Sequence, residues 1–354
     1  MDFGICVAAK IDDVGYIAHA ENLGYSHAWV ADSQMIWSDC YAVLALAAQQ
    51  TRTINIGTGV SVAGTRIAPV TAHSIATINR LAPGRTFLGI GTGNTAMRIM
   101  GHKPMKLREF GEYLRVLRAL LHGEEVTMTW QGQTTPVQFQ MQEYKFIDVE
   151  HHIPLYVSGF GPKAQALAGE YGDGLVVSIP PDPEFMRRAL LNAKAGAERG
   201  GRDGDHYYTC ALSAVALLEP GESLSSERIL RECGPFAIAS LHYLYDKVRQ
   251  FGGPPPRHFA NIWDEYSALV ERTPSSHRHM RIHAGHCVYH LPEEEKFITP
   301  ELIKSTCLAG TPEEVIEQIK QLEATGLDQI MLLPSLATQY RAIEDFTRKV
   351  MEKL

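Results

Sequence analysis

Ile54-Asn55-Ile56-Gly57-Thr58-Gly59-Val60-Ser61, Thr86-Phe87-Leu88-Gly89-Ile90-Gly91-Thr92-Gly93-Asn94 and Pro154-Leu155-Tyr156-Val157-Ser158-Gly159-Phe160-Gly161-Pro162 decide how this chain is read. Each is a short apolar strand that runs straight into a glycine-rich turn. Glycine puts no side chain between backbone and ligand, so such turns allow close approach. Three of them in one chain point to one ligand gripped by several strand ends, as a barrel enzyme holds a cofactor.

Working outward, strand-like and helix-like segments alternate. Strands are expected over 3–8, 26–31, 54–60, 86–91, 154–158, 174–179, 209–218 and 328–333. A helix is expected over 12–23, with Val14, Ile17 and Ala18 at helical spacing and Gly24 at the C-cap. Others are expected over 40–50, 69–81, 107–121, 162–171 and 183–199. Thr311-Pro312-Glu313-Glu314 places a hydroxyl at N-cap, proline at N1 and a carboxylate at N3, a capping box. Val315, Ile316, Ile319 and Leu322 continue it as an apolar stripe, and Gly326 closes the helix. Eight mostly parallel strands with intervening helices imply an α/β fold, a (β/α)8 TIM barrel formed as a single domain over 1–354. An open doubly wound sheet is the alternative.

Two stretches exceed a minimal barrel. Residues 127–152 read as a hairpin over one end. Residues 223–300 are too long for a connection and read as an insertion or lid before the last βα unit. They hold a helical part (227–251), a stiff Pro254-Pro255-Pro256 and a histidine-dense run.

Composition narrows the function. With 45% apolar residues, the 354-residue chain can bury a large core, and its net charge of −7 argues against nucleic-acid or anionic-membrane partners. No apolar run reaches the length of a membrane span. The first residues begin a strand at once, without a signal-peptide layout. Cys6, Cys40, Cys210, Cys233, Cys287 and Cys307 are scattered, with no Cys-x-x-Cys pair to suggest zinc or a disulfide framework. These features together imply a cytoplasmic location.

A wider set of motifs carries a resemblance. It comprises Ile56-Gly57-Thr58-Gly59-Val60, Thr65-Arg66 with Pro69, Ala76-Thr77-Ile78, Gly84-Arg85 and Leu88-Gly89-Ile90-Gly91-Thr92-Gly93. It continues with Ser158-Gly159-Phe160-Gly161-Pro162, Ala168-Gly169-Glu170-Tyr171-Gly172-Asp173-Gly174, Gly310-Thr311-Pro312-Glu313 and Ala324-Thr325-Gly326. Over about 1–215 and 305–354 the chain resembles the bacterial luciferase-like flavin monooxygenase superfamily. Within it, the likeness is to the coenzyme F420-dependent branch that includes methylenetetrahydromethanopterin reductase. The resemblance implies a barrel with a flavin or deazaflavin ring at its C-terminal mouth, and a homodimer formed through helices two and three. It also implies a cis peptide at Gly59–Val60, bulging against the ring, with Ser61 beside it.

Ser158-Gly159-Phe160-Gly161-Pro162-Lys163 is the phosphate candidate, since free amides at a helix start and the lysine would attract an anion. A tight turn without a ligand is the competing reading. Gly91, Thr92, Gly93 and Asn94 are candidates for hydrogen bonding to the ring edge, against simple turn chemistry. Hydride-transferring relatives carry a carboxylate at the place of Asn94, and the reductase another at Cys6. Amide and thiol cannot supply the same proton at neutral pH. Trp37, in Asp32-Ser33-Gln34-Met35-Ile36-Trp37, packs on substrate or ring, or in the core. In Ser276-His277-Arg278-His279-Met280-Arg281-Ile282-His283-Ala284-Gly285-His286-Cys287-Val288-Tyr289-His290, the spacing of His279, His283 and His286 permits metal ligation or a merely polar lid. The reading adopted assigns no metal and lets His283 and His286 face substrate. Arg66, Arg80 and Arg85 read as framework charges, and Glu293-Glu294-Glu295-Lys296 as a solvated helix start.

The expected function is a flavin-dependent oxidoreductase, foremost a monooxygenase using reduced FMN and O2 on a small-molecule substrate. A separate flavin reductase would feed it, because no nicotinamide-binding Gly-x-Gly-x-x-Gly unit is visible. The catalytic candidates are His283, His286 and Asn94, and Cys6 and Trp37 are expected to meet substrate. The alternatives are F420-dependent hydride transfer and non-catalytic flavin binding.

Overall fold

The computed structural model describes residues 1–178, 182–204, 207–255 and 259–354. In chain order the first elements are β1 (Asp2–Val7), α1 (Gly15–Asn22), β2 (His27–Val30), α2 (Cys40–Gln50), β3 (Asn55–Val62), α3 (Ala68–Leu81), β4 (Thr86–Gly91), α4 (Asn94–Ile99) and α5 (Leu107–Leu121). The hairpin β5 (Val126–Trp130) and β6 (Gln133–Val137) follows, then β7 (Leu155–Ser158), α6 (Pro162–Tyr171), β8 (Gly174–Ser178), α7 (Pro183–Arg199), β9 (Tyr208–Ser213) and β10 (Val215–Leu217). The remainder comprises α8 (Glu227–Phe251), α9 (Ala260–Glu271), α10 (Arg278–Ile282), α11 (Pro300–Thr306), β11 (Leu308–Gly310), α12 (Pro312–Glu323), β12 (Gln329–Leu332) and α13 (Gln339–Lys349).

β1, β2, β3, β4, β7, β8, β9 and β12 close into one parallel barrel. Closure removes the open-sheet alternative. The expected strand segments overlap all eight barrel strands, and the capping box forms as read: Thr311 N donates to Glu314 Oε2 at 2.8 Å and Glu314 N to Thr311 Oγ1 at 3.3 Å. Ile179, placed at the end of the sixth strand, and Pro256 of the proline run lie outside the described residues.

The run 209–218 is not one strand. The chain leaves the barrel after Ser213, and Val215–Leu217 pairs with Leu308–Gly310 in a separate parallel ladder. Both halves are apolar, so hydropathy shows no break where the partner changes. α4, α9 and α13 are also absent from the sequence reading.

Several glycines of β3 and β4 serve packing. A Cβ on Gly57 would lie 2.3 Å from Phe87 O, and one on Gly89 would lie 2.2 Å from Thr58 O and 3.0 Å from Trp29 Cζ3. Trp29, Phe87 and Tyr156 fill the barrel interior in mutual contact, with centroids 4.3 Å apart for Trp29 and Phe87 and 5.5 Å apart for Trp29 and Tyr156. Trp29 Nε1 donates to Gln329 Oε1 at 2.8 Å, so the indole is buried with its polar atom satisfied. This plug fills the barrel interior, and the main cavity lies at the C-terminal ends of the strands.

Beneath the barrel, Glu21 gathers the loop before β3. Burial disfavours its charge, but the amides of Ile54, Thr53 and Arg52, at 2.9, 2.6 and 2.8 Å, outweigh that and lower its pKa to about 2. A carboxylate pKa depressed by folding contributes stability above its unfolded value, and this is lost as pH falls through the folded value. Glu21→Gln is therefore expected to cost about 1–2 kcal/mol at pH 7, with the difference from wild type shrinking from pH ~4.5 toward ~2. Urea denaturation at several pH values measures this; an equal loss at pH 7 and pH 2.5 would contradict it.

Candidate active site

A cavity of about 1030 Å³ opens at the C-terminal ends of the barrel strands. This is where a parallel barrel presents its active site, because the βα turns there are free to carry function. α8 and the loop after α10 form the opposite wall, contributing Phe236, Tyr243, Leu244, His283 and His286 among others. Phe160, in the turn after β7, stacks on Tyr243 with centroids 5.3 Å apart and joins the two walls.

Of the expected residues, Cys6, Trp37, Gly59, Val60, Gly91, Thr92, Gly93, Asn94, Ser158, Phe160, Gly161, Pro162, Lys163, His283 and His286 all line this cavity. The Gly59–Val60 peptide is cis, at the position the resemblance indicates, and the β3–β4 register shifts between Thr58 and Ser61. Two expected residues do not reach the cavity. Ser61 is fully buried behind the wall, donating to Asp32 Oδ2 at 3.2 Å and meeting Tyr41 Oη at 3.0 Å. Gly159 lies against the start of α6, where an added Cβ would be 2.9 Å from Ala164 C. Its smallness serves strand–helix contact, and it is absent from the lining.

The acidic and cationic groups occupy different places. Asp32 is the carboxylate of the lining among the described residues, and it is fully engaged. It accepts from Arg66 Nη1 at 2.6 Å, Val62 N at 3.1 Å and Gln34 Nε2 at 2.5 Å. Arg66 reaches on to Asp39, the N-cap of α2, at 3.2 Å, which bears out its framework role. Lys106, Lys163 and Lys247 stand exposed on the rim. Lys163 follows Gly161 and Pro162 at the start of α6, and a Cβ on Gly161 would meet nothing within 4 Å. That open approach, a helix N-terminus and a lysine together would suit an anion.

The inner end is neutral. Burial pushes the Cys6 thiol up to about 12, so it stays protonated, with its sulfur 3.8 Å from Gly59 O. Burial, then the neighbouring His283 and His242, lowers His286 to about 3. Burial also lowers His283, against the opposing pull of Asp246, whose Oδ2 lies 3.1 Å from Nε2. Trp37 and His286 face each other with ring centroids 5.9 Å apart. Trp37 Nε1, His283 Nδ1 and His286 Nδ1 are buried with no hydrogen-bond partner. Buried polar atoms are normally satisfied, so three orphans on cavity-lining side chains are exceptions, although the nitrogens themselves are shielded from the open cavity.

The histidine run folds differently from its helical spacing. α10 ends at Ile282, so His279, His283 and His286 do not share one helical face. The acidic run is not simply solvated either: Glu294 is buried and accepts from His242 Nε2 at 2.9 Å. Sequence reasoning missed Arg98 and Asp246. The Asp246–His283 contact spans 37 residues, and no local pattern announces it.

A barrel with its cavity at the strand C-termini, a helix start with Lys163 that would attract an anion and an inner pocket of hydrogen-bonding groups is suited to an enzyme that binds an anionic cofactor or substrate. The profile described as Luciferase-like monooxygenase matches residues 9–329, and the chain belongs to that family. The 5,10-methylenetetrahydromethanopterin reductase of Archaeoglobus fulgidus is 26% identical over 344 residues, covering 96% of this chain and 94% of the relative. The F420-dependent glucose-6-phosphate dehydrogenase of Kineococcus radiotolerans is 26% identical over 309 residues, covering 80% and 88%. Among solved structures, the coenzyme F420 dependent tetrahydromethanopterin reductase from Methanopyrus kandleri superposes with a TM-score of 0.70 at 20% identity, over 99% of each chain. The chain is thus an enzyme of the luciferase-like oxidoreductase superfamily. No helix among the described residues is long and apolar enough to cross a membrane.

Proposed function

We propose that this enzyme is an F420-dependent oxidoreductase that moves a hydride between the deazaflavin and a small uncharged alcohol or carbonyl substrate. The observation that carries the reading is the separation of charge in the cavity. Lys106, Lys163 and Lys247 sit on the rim and Arg98, which also lines the cavity, is tied to Asn94 and Asp246, while the inner end offers neutral imidazole and indole rings and a protonated thiol. A charged substrate group at that inner end would lose its hydration without meeting a free counter-charge, because Asp32 is already paired with Arg66 and Arg98 with Asp246. The Kineococcus radiotolerans relative, whose name specifies F420, supports F420 over FMN, which the sequence reading had put first.

The cavity fits the cofactor. Its volume is at the upper end of the roughly 300–1,000 Å³ usual for ligand sites, room for a tricyclic ring and a small substrate. Gly59, Val60, Gly91 and Thr92 would flank the ring, and Lys163 with the start of α6 would hold the phosphate. Lys106 and Lys247 would meet the carboxylates of its side chain. When bound, F420 supplies two-electron hydride chemistry. The protein's part is proton management and positioning. The proton released by a substrate hydroxyl would be taken up by the His283 ring, and the positive charge formed there would be held beside Asp246. Trp37 and His286 would contact the substrate oxygen and cover it from water.

A second reading, a monooxygenase using reduced FMN and O2, is favoured by Asn94 and Cys6, which stand where hydride-transferring relatives are expected to carry carboxylates. Anaerobic titration with F420, FMN and reduced FMN separates the two. F420 is expected to bind in preference and to be reduced by an uncharged secondary alcohol without oxygen. Preferential binding of reduced FMN, with substrate-dependent oxygen consumption, would replace this reading with the second.

A further inference from the structure

Asn94, Arg98, Asp246 and His283 form one polar chain from α4 to α8 and the end of α10. Arg98 Nε donates to Asn94 Oδ1 at 2.8 Å and lies 3.6 Å from Asp246 Oδ2. His283 Nε2 lies 3.1 Å from that same carboxylate oxygen. Arg98 Nη2 also donates to Gln250 Oε1. All four members of the chain are more than half buried, so their orientations are held by these partners rather than by water.

The hydrogen-bonding inventory orients every link. A guanidinium only donates, so Asn94 must turn its carbonyl toward Arg98. An ionised carboxylate only accepts, so His283 must carry its proton on Nε2. The remaining valences follow. Asn94 keeps its amide N–H2, which makes no hydrogen bond among the described residues and belongs to a residue on the cavity lining. His283 keeps a bare lone pair on Nδ1, which is buried and unpartnered. The groups facing His283 are Asp246 and His242 from α8, Arg98 from α4 and His286 from its own loop. Asp246 is the one anion among them. Removing it leaves the ring beside a guanidinium and two imidazoles, with nothing to select a tautomer.

We propose that Asp246 is a positioning residue which, with Arg98, holds His283 as the Nε2–H tautomer with Nδ1 as acceptor and fixes Asn94 as an amide donor. Its catalytic meaning rests on the hydride-transfer reading above; the tautomer does not. A site with an acid at position 94 would hand out a proton there. This chain instead offers a fixed neutral donor at Asn94 and moves the titrating group to the opposite wall.

The test is ¹⁵N NMR of protein labelled at histidine, with the His283 signals assigned by their loss in His283→Gln. In the wild-type protein without cofactor, His283 is expected to show a protonated Nε2 and an unprotonated Nδ1 at pH 7. In Asp246→Asn these two shifts are expected to move toward each other as the tautomers mix, and the ring is expected to protonate at lower pH than in wild type, because Asp246 opposes the lowering. Asp246→Glu should restore the wild-type pattern at least in part. With F420 and 2-propanol as probes, kcat in Asp246→Asn is expected to fall about 100-fold with KM within threefold. A wild-type Nδ1–H tautomer would overturn the proposal, whether or not any variant folds, and so would unchanged shifts in Asp246→Asn. If the tautomer is as stated but F420 does not bind, the functional reading fails and the positioning role stands.

Discussion

His283→Gln is expected to slow hydride transfer to F420 by about 10²–10⁴-fold, the usual contribution of a positioned acid–base group, while leaving the dissociation constant for F420 within a few-fold. Glutamine keeps a polar side chain of similar reach but cannot accept a proton. The asymmetry between rate and affinity follows from position. His283 is on the α10 side of the cavity, whereas Lys163, Gly59 and Val60 belong to the barrel side. The pH profile adds a second signature. Burial lowers the pKa of His283 below that of an ordinary histidine, so its neutral, proton-accepting form dominates at pH 7. Alcohol oxidation should therefore be flat through neutral pH and decline only on acidification, below the ordinary histidine range near ~6.5. Stopped-flow reduction of F420 by a secondary alcohol measures both. A rate within threefold of wild type would remove His283 from the chemistry and leave His286 as the group to test.

Asp32→Ala is expected to be the most destabilising change near the site, by about 3–5 kcal/mol, because it leaves Arg66 beside a buried void without its partner. Asp32 is 4% exposed, and it ties three elements: Arg66 before α3, Val62 N on β3 and Gln34 after β2. Arg66 also lies over the Tyr41 ring at 5.0 Å and reaches Asp39, so the stranded guanidinium keeps weaker contacts. Most of the loss should come from the uncompensated charge. The double variant Asp32→Ala with Arg66→Met should therefore regain a substantial part of the stability lost by the single variant. Chemical denaturation of wild type, both single variants and the double variant closes the cycle. A loss below 1 kcal/mol for Asp32→Ala, or no recovery in the double variant, would show that the pair is not what holds this corner.

The sequence reading placed the barrel well because its signals are local. Strand runs such as 86–91 and 154–158 and the capping box at Thr311 involve residues within a few positions of each other. The glycine-rich turns were correctly seen as strand ends, but the reason for the glycines was only partly legible. Gly57 and Gly89 are small because Phe87, Trp29 and neighbouring backbone occupy the space a side chain would need, a fact of barrel closure. Ser61 sits one residue past Val60, and the register shift in β3 turns it to Asp32 and Tyr41 instead of the cavity. Gly159 likewise meets α6.

On the opposite wall the sequence showed residue types without their arrangement. The histidine run was visible, but its pairings are long-range: His283 with Asp246, His242 with Glu294, His286 with Trp37. Glu294 looked like one of three solvated acids until α8 brought His242 against it.

Apolar strand runs, glycine turns and helix caps pointed to an eight-stranded parallel barrel with a cavity at one end, because each depends on periodicity and on backbone preferences of neighbouring residues, and closure of the sheet in space decided against an open one. Which nitrogen of His283 is free, which face Asn94 presents and where Asp32 spends its charge were settled only when distant segments met. A tautomer or an ion pair depends on donors and acceptors within about 3 Å in space, and no order of residues along the chain fixes which groups will come that close.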